Sequence, residues 1–439
     1  MRILLTLVLL APVARAETIT LLHFSDYHSH AQPFYSEGRA EQGGIARAIE
    51  YLERHKKEGA LVFSGGDMMN RGAPAWSDRY GCIEWPWLDG IVDAMAFGNH
   101  DADYGYAAFA KCRDAVRYPI LSANTAGFPP YVVLNAKGLR IGVFAVAGSD
   151  FPTLVRTPEL RFGDPISAAR ETVQRLREEE KVDAVVLIGH QHASDDFALA
   201  RAVPGIDLIF GTHSHLRQEL MKIPGTETWF ISPFQYLAYI GRVDLTFDGR
   251  RLAKVEGELV RVGRPMPEDA DIAQRVAAHQ DALESDPKYA DLFVPFTRLE
   301  NAVDVGDLAR MTVTVMRDVA KADVALSTAS SFRQALPSGT IDAETLRNAL
   351  PYDNEIVVAE LPAARARELM TFAASQKGDA FAYVAGEVKR ERVRVATTDY
   401  LARVASGYRD FFTGAEVEKT GLRVREELRK SIVQRGSAP

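Results

Sequence analysis

From Thr18 onward, short apolar runs of buried-strand length alternate with amphipathic segments, and no other feature limits the possible folds so sharply. TITLLHF, ALVFSGGD, AMAFGNHD, YPILSAN, IGVFAVAG, DAVVLIGH, DLIFGTHSH, WFISP and GRVDLTF read as strands. Helical pieces such as Gly44 to Glu58 and Pro165 to Glu180 lie between them. Strands apolar on both faces must be covered on both, so the alternation predicts a layered α/β unit. Near Arg261-Val262-Gly263-Arg264-Pro265 the pattern stops, and PEDADIAQRVAAHQDALES follows as a polar, proline-flanked helical connector. After about Pro295 a second α/β or α+β unit begins. It has a helix over Val305 to Val319, a strand over Asp323 to Leu326, a helix start at Ile341-Asp342-Ala343-Glu344 and the strand EIVVAEL. Strand VRVATT and a helix from Asp399 towards Val404 close it. A length of 439 residues fits two domains, or three.

With 47% hydrophobic and 25% charged residues and no low-complexity tract, the chain is neither a disordered scaffold nor an integral membrane protein. Its first residues, MRILLTLVLLAPVARA, have one basic residue, Arg2, then an apolar run from Ile3 to Val13, and end in the small-x-small pattern Ala14-Arg15-Ala16. That is the pattern of a signal peptide over residues 1–16, cleaved after Ala16, and it predicts a periplasmic or secreted protein. The apolar run is too short for a bilayer span of about 20 residues, and no cysteine follows it, so no stable membrane anchor is expected. The alternative is a buried N-terminal strand. Removing Arg2 and Arg15 takes the formal charge from −7 to −9. An acidic protein has no general attraction to nucleic acid, so an anionic substrate must meet a local cationic site. An oxidising compartment permits a disulfide between Cys82 and Cys112, and neither has the spacing of a thiolate metal site.

Five polar motifs fall at the C-terminal ends of the predicted strands, where layered α/β folds place their sites. They are Asp26-Tyr27-His28, Gly65-Gly66-Asp67, Gly98-Asn99-His100-Asp101, Gly189-His190 and Gly211-Thr212-His213-Ser214-His215. A lone histidine at a strand end is more often structural. Five such motifs in order on one sheet edge favour a metal site. Mixed Asp, His and Asn donors suit zinc or manganese rather than calcium. Two ions need a shared ligand, which a carboxylate provides, and the glycines before Asp67 let the backbone come close. Two metals roughly 3.5–4 Å apart can hold a hydroxide and clamp a transferring group, which suits hydrolysis of a phosphate ester.

The order DxH…GGD…GNH(D/E)…GH…GxHxH resembles the binuclear metallophosphoesterases, and its spacing is similar to that of the 5′-nucleotidase family. The resemblance implies a four-layer metallophosphoesterase β-sandwich flanked by helices over 17–264, a connecting helix over 265–294, and a smaller C-terminal α/β substrate domain over 295–439. It also implies two divalent ions: Asp26, His28 and His215 on the first, Asp67 bridging, and Asn99, His190 and His213 on the second. GNHDAD matches the family's catalytic dyad, which places His100 as the group that stabilises phosphate charge or protonates the leaving alkoxide. Asp103 would then orient its imidazole. Asp101 is expected to be structural, His30 and His192 supporting or surface residues, and His23, His55 and His279 structural or solvated. Domain rotation is also implied, with Pro265 to Pro287 as the candidate hinge.

STASSFRQALPSGTIDAETLRNALPYDNEIVVAEL resembles the family stretch running from NGGGIR to LPFGN. Arg333 then meets the substrate phosphate beside Asn99, and Tyr352 and Tyr408 form an aromatic clamp on a base. The departures are concentrated in this half. Thr328 replaces an asparagine, Ser330 and Ser331 replace glycines, and Val404-Ala405-Ser406-Gly407 stands for GGDG. A further phosphate arginine has only Arg298 near its place. The expectation is an exported hydrolase of nucleoside 5′-monophosphates using two-metal hydroxide attack. Alternatives are a phosphoesterase for cyclic nucleotides, nucleotide sugars or a non-nucleotide ester, a thiosulfate-ester hydrolase sharing the metal domain, and a non-catalytic nucleotide-binding surface protein.

Overall fold

Alternation along single strands sets the layering. In the computed structural model, which describes residues 16–405 and 407–436, Leu21 of strand Glu17–Phe24 faces a second sheet while Leu22 faces helices. The first sheet has six strands in the order Arg251–Arg261, Tyr239–Asp248, Glu17–Phe24, Leu61–Ser64, Ala94–Ala96 and Ile120–Leu121. Glu17–Phe24 runs parallel to Leu61–Ser64 and antiparallel to Tyr239–Asp248. The second sheet, also six-stranded, has the order Arg217–Lys222, Trp229–Pro233, Leu208–Phe210, Ala184–Leu187, Leu139–Phe144 and Tyr131–Ala136.

Ile19, Phe63 and Leu245 of the first sheet meet Ile141, Val186 and Phe210 of the second in a buried interlayer. Helix Ile45–Lys57 covers the outer face of one sheet, and helices Pro165–Glu178 and Ala193–Ala202 cover the other. The result is a helix–sheet–sheet–helix stack. Cys82 and Cys112 are joined by a disulfide, a 30-residue loop closure that contributes about 3 kcal/mol.

Helix Ala270–Glu284 starts at Asp269, whose side chain accepts the N–H of Ile272 at 2.8 Å. Its Ile272, Val276 and Leu283 pack into the N-terminal core, so the connecting helix is part of that unit's packing rather than a free strut. The C-terminal unit has a five-stranded sheet in the order Ala382–Gly386, Val324–Thr328, Arg392–Thr398, Glu355–Pro362 and Val417–Arg423. Helices Val305–Val319 and Val424–Gly436 lie on one face, and Ala363–Ser375 and Asp399–Arg403 on the other.

The edge strand Val417–Arg423 and the helix after it have no counterpart in the sequence reading. Most of that strand is exposed, and VEKTGLR has no apolar run to mark it. The signal-peptide reading falls on residues 1–15, outside the described residues, apart from Ala16. No described helix is long and apolar enough to cross a membrane.

Candidate active site

Strand ends deliver the polar motifs to one place through loops that only special backbone permits. Asp26, His28, Asp67, His213 and His215 all have φ between 46° and 55°, a left-handed region costly for residues with a Cβ. A Cβ on Gly98 would sit inside the van der Waals shell of Asp67 N and Oδ1, so that glycine allows the two loops to touch. Asp101 then clamps them. Its carboxylate accepts the N–H groups of Met68 and Gly98, both at 2.8 Å, and of Asp67 at 3.2 Å.

Asp26, His28 and His215 converge, and beside them Asp67, His190 and His213 do the same. His28 Nε2 and His215 Nε2 are 3.2 Å apart, His215 Nε2 is 3.1 Å from Asp26 Oδ1, and His190 Nε2 is 3.2 Å from Asp67 Oδ2. The opposite ring nitrogens are tied to carbonyls, which can only accept. His190 Nδ1 donates to Gly65 O at 2.6 Å and His28 Nδ1 to Met69 O at 3.1 Å. Each ring thus presents an Nε2 lone pair to the centre. His213 Nε2 faces Asp150 Oδ2 at 3.0 Å, which leaves its Nδ1 for the same purpose.

Asp26 Oδ1, Asn99 Oδ1 and His190 Nε2 are buried without a hydrogen-bond partner. Orphaned acceptors cost about 1–3 kcal/mol each, and two divalent cations would satisfy all of them. The donor set fits such ions: oxygen and imidazole ligands of borderline softness. Charge balance agrees. Burial pushes His28 down to about 3, keeping it neutral. Burial would lower His190 too, but the carboxylates of Asp67 and Asp26 outweigh it and carry it up to about 10, so that without a cation they draw a proton onto Nε2, the position a metal ion would take.

His100 Nδ1 and Asp103 Oδ2 are 2.7 Å apart, and the backbone N–H of His100 donates to Asp67 Oδ1 at 2.7 Å. Burial opposes the imidazolium, yet Asp103 and Asp67 hold its pKa well above the ordinary histidine value. From the C-terminal unit Arg333 enters this centre. Its Nη1 donates to His215 Nε2 at 3.1 Å and its Nη2 to the Tyr352 hydroxyl at 3.3 Å.

Tyr408 is packed into the C-terminal unit. It is 2% exposed, its hydroxyl donates to Ala380 O at 2.6 Å, and its ring packs on Phe372. Tyr400, by contrast, is 38% exposed and near enough to Tyr352, Asp150 and Arg333 to feel their charges. It lies at the start of the helix after strand Arg392–Thr398, and VATTDYLARVASGY offers both tyrosines. The sequence reading also missed three polar residues. Gln235 accepts from Arg333 Nη1 at 3.5 Å and donates to Arg333 O at 3.2 Å. Asp379 Oδ2 lies 3.9 Å from Arg333 Nη1, and Asp150 Oδ2 lies 3.2 Å from His192 Nε2. His30, expected as a supporting or surface residue, stacks on Tyr236 at 3.6 Å and donates through Nδ1 to His28 O at 2.8 Å.

Fold and site together define a hydrolase of phosphate esters. Residues 19–217 match the calcineurin-like phosphoesterase family and residues 289–392 match the 5′-nucleotidase C-terminal domain. The chain therefore belongs to the calcineurin-like phosphoesterases that carry a 5′-nucleotidase C-terminal domain. It is similar to Protein UshA of Yersinia enterocolitica, 26% identical over 432 residues that span 83% of this chain and 78% of that one. To a 5′-nucleotidase of Vibrio parahaemolyticus it is 25% identical over 83% of this chain and 76% of the other. The fold matches a 5′-nucleotidase precursor from Thermus thermophilus at TM-score 0.78 and 21% identity, covering 96% and 97% of the chains. It also matches the sulfate thiohydrolase SoxB of Thermus thermophilus at TM-score 0.74 and 19% identity, over 95% and 94%.

Proposed function

We propose that this protein is an exported, metal-dependent 5′-nucleotidase that hydrolyses nucleoside 5′-monophosphates to nucleoside and phosphate. The observation that carries the reading is the meeting of Arg333 and Tyr352 with the paired ligand groups and with the His100–Asp103 pair. Asp26, His28 and His215, and Asn99, His190 and His213, together with Asp67, would hold zinc or manganese ions, which would supply Lewis acidity towards phosphoryl oxygen and an activated water.

The residues do the remainder. Arg333 offers a planar guanidinium fork to the phosphate. As the water oxygen bonds to phosphorus and the ester P–O bond breaks, the leaving 5′-oxygen takes a proton from His100 Nε2. Asp103 on Nδ1 keeps that nitrogen pointing outward. Tyr352 and Tyr400, rather than Tyr408, are the faces available for stacking a base. Export is supported by the signal-like N-terminus and by the Cys82–Cys112 disulfide, which persists in oxidising compartments.

A substrate panel with added zinc or manganese tests this: AMP, UMP, ADP, UDP-glucose, cyclic nucleotides, sugar phosphates and a thiosulfate ester. Release of phosphate from AMP or UMP at the highest kcat/KM is the expected result. Preference for a cyclic nucleotide, a nucleotide sugar or a sugar phosphate would keep the hydrolase and discard the nucleotidase. Turnover of the thiosulfate ester alone would place the chemistry with the thiohydrolase.

A further inference from the structure

Segment 70–78 of the N-terminal unit touches the His100–Asp103 pair at one end and the C-terminal unit at the other. Asp103 Oδ2, which holds His100 Nδ1, also accepts the backbone N–H of Arg71 at 3.0 Å. The next residue, Gly72, gives its N–H to Asp78 Oδ1 at 2.9 Å. That same oxygen accepts the hydroxyl of Tyr104, the neighbour of Asp103 in the chain, at 2.7 Å. One hydrogen bond from this segment thus reaches Asp103 directly, and a second path runs from Asp78 through the Tyr104 side chain to the residue next to Asp103.

Arg347, on helix Ala343–Ala349 of the C-terminal unit, reaches into this knot. Its Nε donates to Gly72 O at 2.9 Å, its Nη2 donates to the same carbonyl, and Nη2 lies 3.3 Å from Asp78 Oδ2. The Arg347 side chain is only 15% exposed, so its charge is committed to these acceptors. One turn earlier, Glu344 accepts the N–H of Ala75 at 2.6 Å, and its other oxygen is 3.7 Å from Arg347 Nη1. The far end of the helix serves recognition. Ala349 O accepts the backbone N–H of Arg333 at 2.8 Å, and Tyr352 follows three residues later.

We propose that Arg347, supported by Glu344, is a positioning residue that fixes Asp103, and through it His100, when the C-terminal unit is seated on the N-terminal one. One short helix thereby couples the arginine that meets phosphate to the orientation of the group that donates the proton. A carboxylate with one of its hydrogen-bond donors freed can turn away from the imidazole, and small misplacements of reacting groups are costly. The inference rests on the role proposed above for His100 and Asp103.

The test compares wild type, Arg347→Ala, Arg347→Met, Arg347→Lys and His100→Ala on AMP and on ribose 5-phosphate, which keeps the alkoxide leaving group but has no base to stack. Arg347→Met keeps the aliphatic stem packed should the alanine variant not fold. Expected for Arg347→Met is a roughly ten- to hundredfold fall in kcat on both substrates. KM for ribose 5-phosphate and bound metal should hold at wild-type values, segment 70–78 should exchange amide hydrogens faster, and Arg347→Lys should recover much of the rate. Wild-type kcat in Arg347→Met beside a crippled His100→Ala overturns the proposal alone. So does a loss accounted for wholly by unfolded or metal-free protein. His100→Ala at full activity overturns the dyad and this proposal with it.

Discussion

The two halves of this molecule hold their chemistry differently. In the N-terminal unit each candidate ligand sits two to five residues beyond a buried strand, on loops whose close approach glycines permit, with the His28 and His190 imidazoles locked by carbonyls. In the C-terminal unit Arg333 and Tyr352 depend on partners far along the chain: Gln235, His215 and Asp379 for the arginine, and the arginine itself for the tyrosine. The lesson is that a site at strand ends is local in sequence, because the sheet supplies the convergence. A site between two units is assembled only by packing.

The largest effect should come from the N-terminal half. Chelation, or Asp67→Ala, should abolish turnover on every phosphate ester, and zinc or manganese should restore the chelated wild type but not the variant. Retained turnover after verified metal removal would break the comparison at its strongest point. Next, His100→Ala should lower kcat roughly 10²–10⁴-fold while metal content stays at the wild-type level. Steady-state kinetics with elemental analysis separate the two properties.

The tyrosines sharpen the contrast within the C-terminal half. Tyr400→Ala should raise KM for AMP about tenfold, as loss of one stacking face costs roughly 1–3 kcal/mol, and leave KM for ribose 5-phosphate alone. Tyr408→Ala should instead lower the melting temperature, since emptying a buried aromatic site costs about 3–5 kcal/mol. The reverse pair of results would return Tyr408 to the substrate.

A further effect lies in the N-terminal core. Burial lifts Glu84 to about 7, and its Oε1 accepts the Tyr27 hydroxyl at 3.1 Å. A folded-state pKa raised above the unfolded one means this carboxyl stabilises the fold while protonated. Its contribution is complete below about pH 4.5 and is lost as pH rises through about 7. Glu84→Gln should therefore flatten the fall in melting temperature between pH 5 and 8, an effect of at most about 3 kcal/mol. An unchanged pH profile would show that Glu84 ionises freely.

By itself the sequence determined the layered α/β plan and the grouping of Asp26, His28, Asp67, His190, His213 and His215. Strand length, glycine placement and ligand chemistry are properties of a few consecutive residues, and a sheet aligns strand ends without further instruction. Only the tertiary structure buried Tyr408 and left Tyr400 exposed. VATTDYLARVASGY contains both, and the packing of Phe372 against Tyr408 decides which one is buried. Only the tertiary structure brought Arg347 to Gly72 and Asp78, because residues hundreds of positions apart meet through the seating of one hydrophobic core on another. No local pattern encodes that meeting.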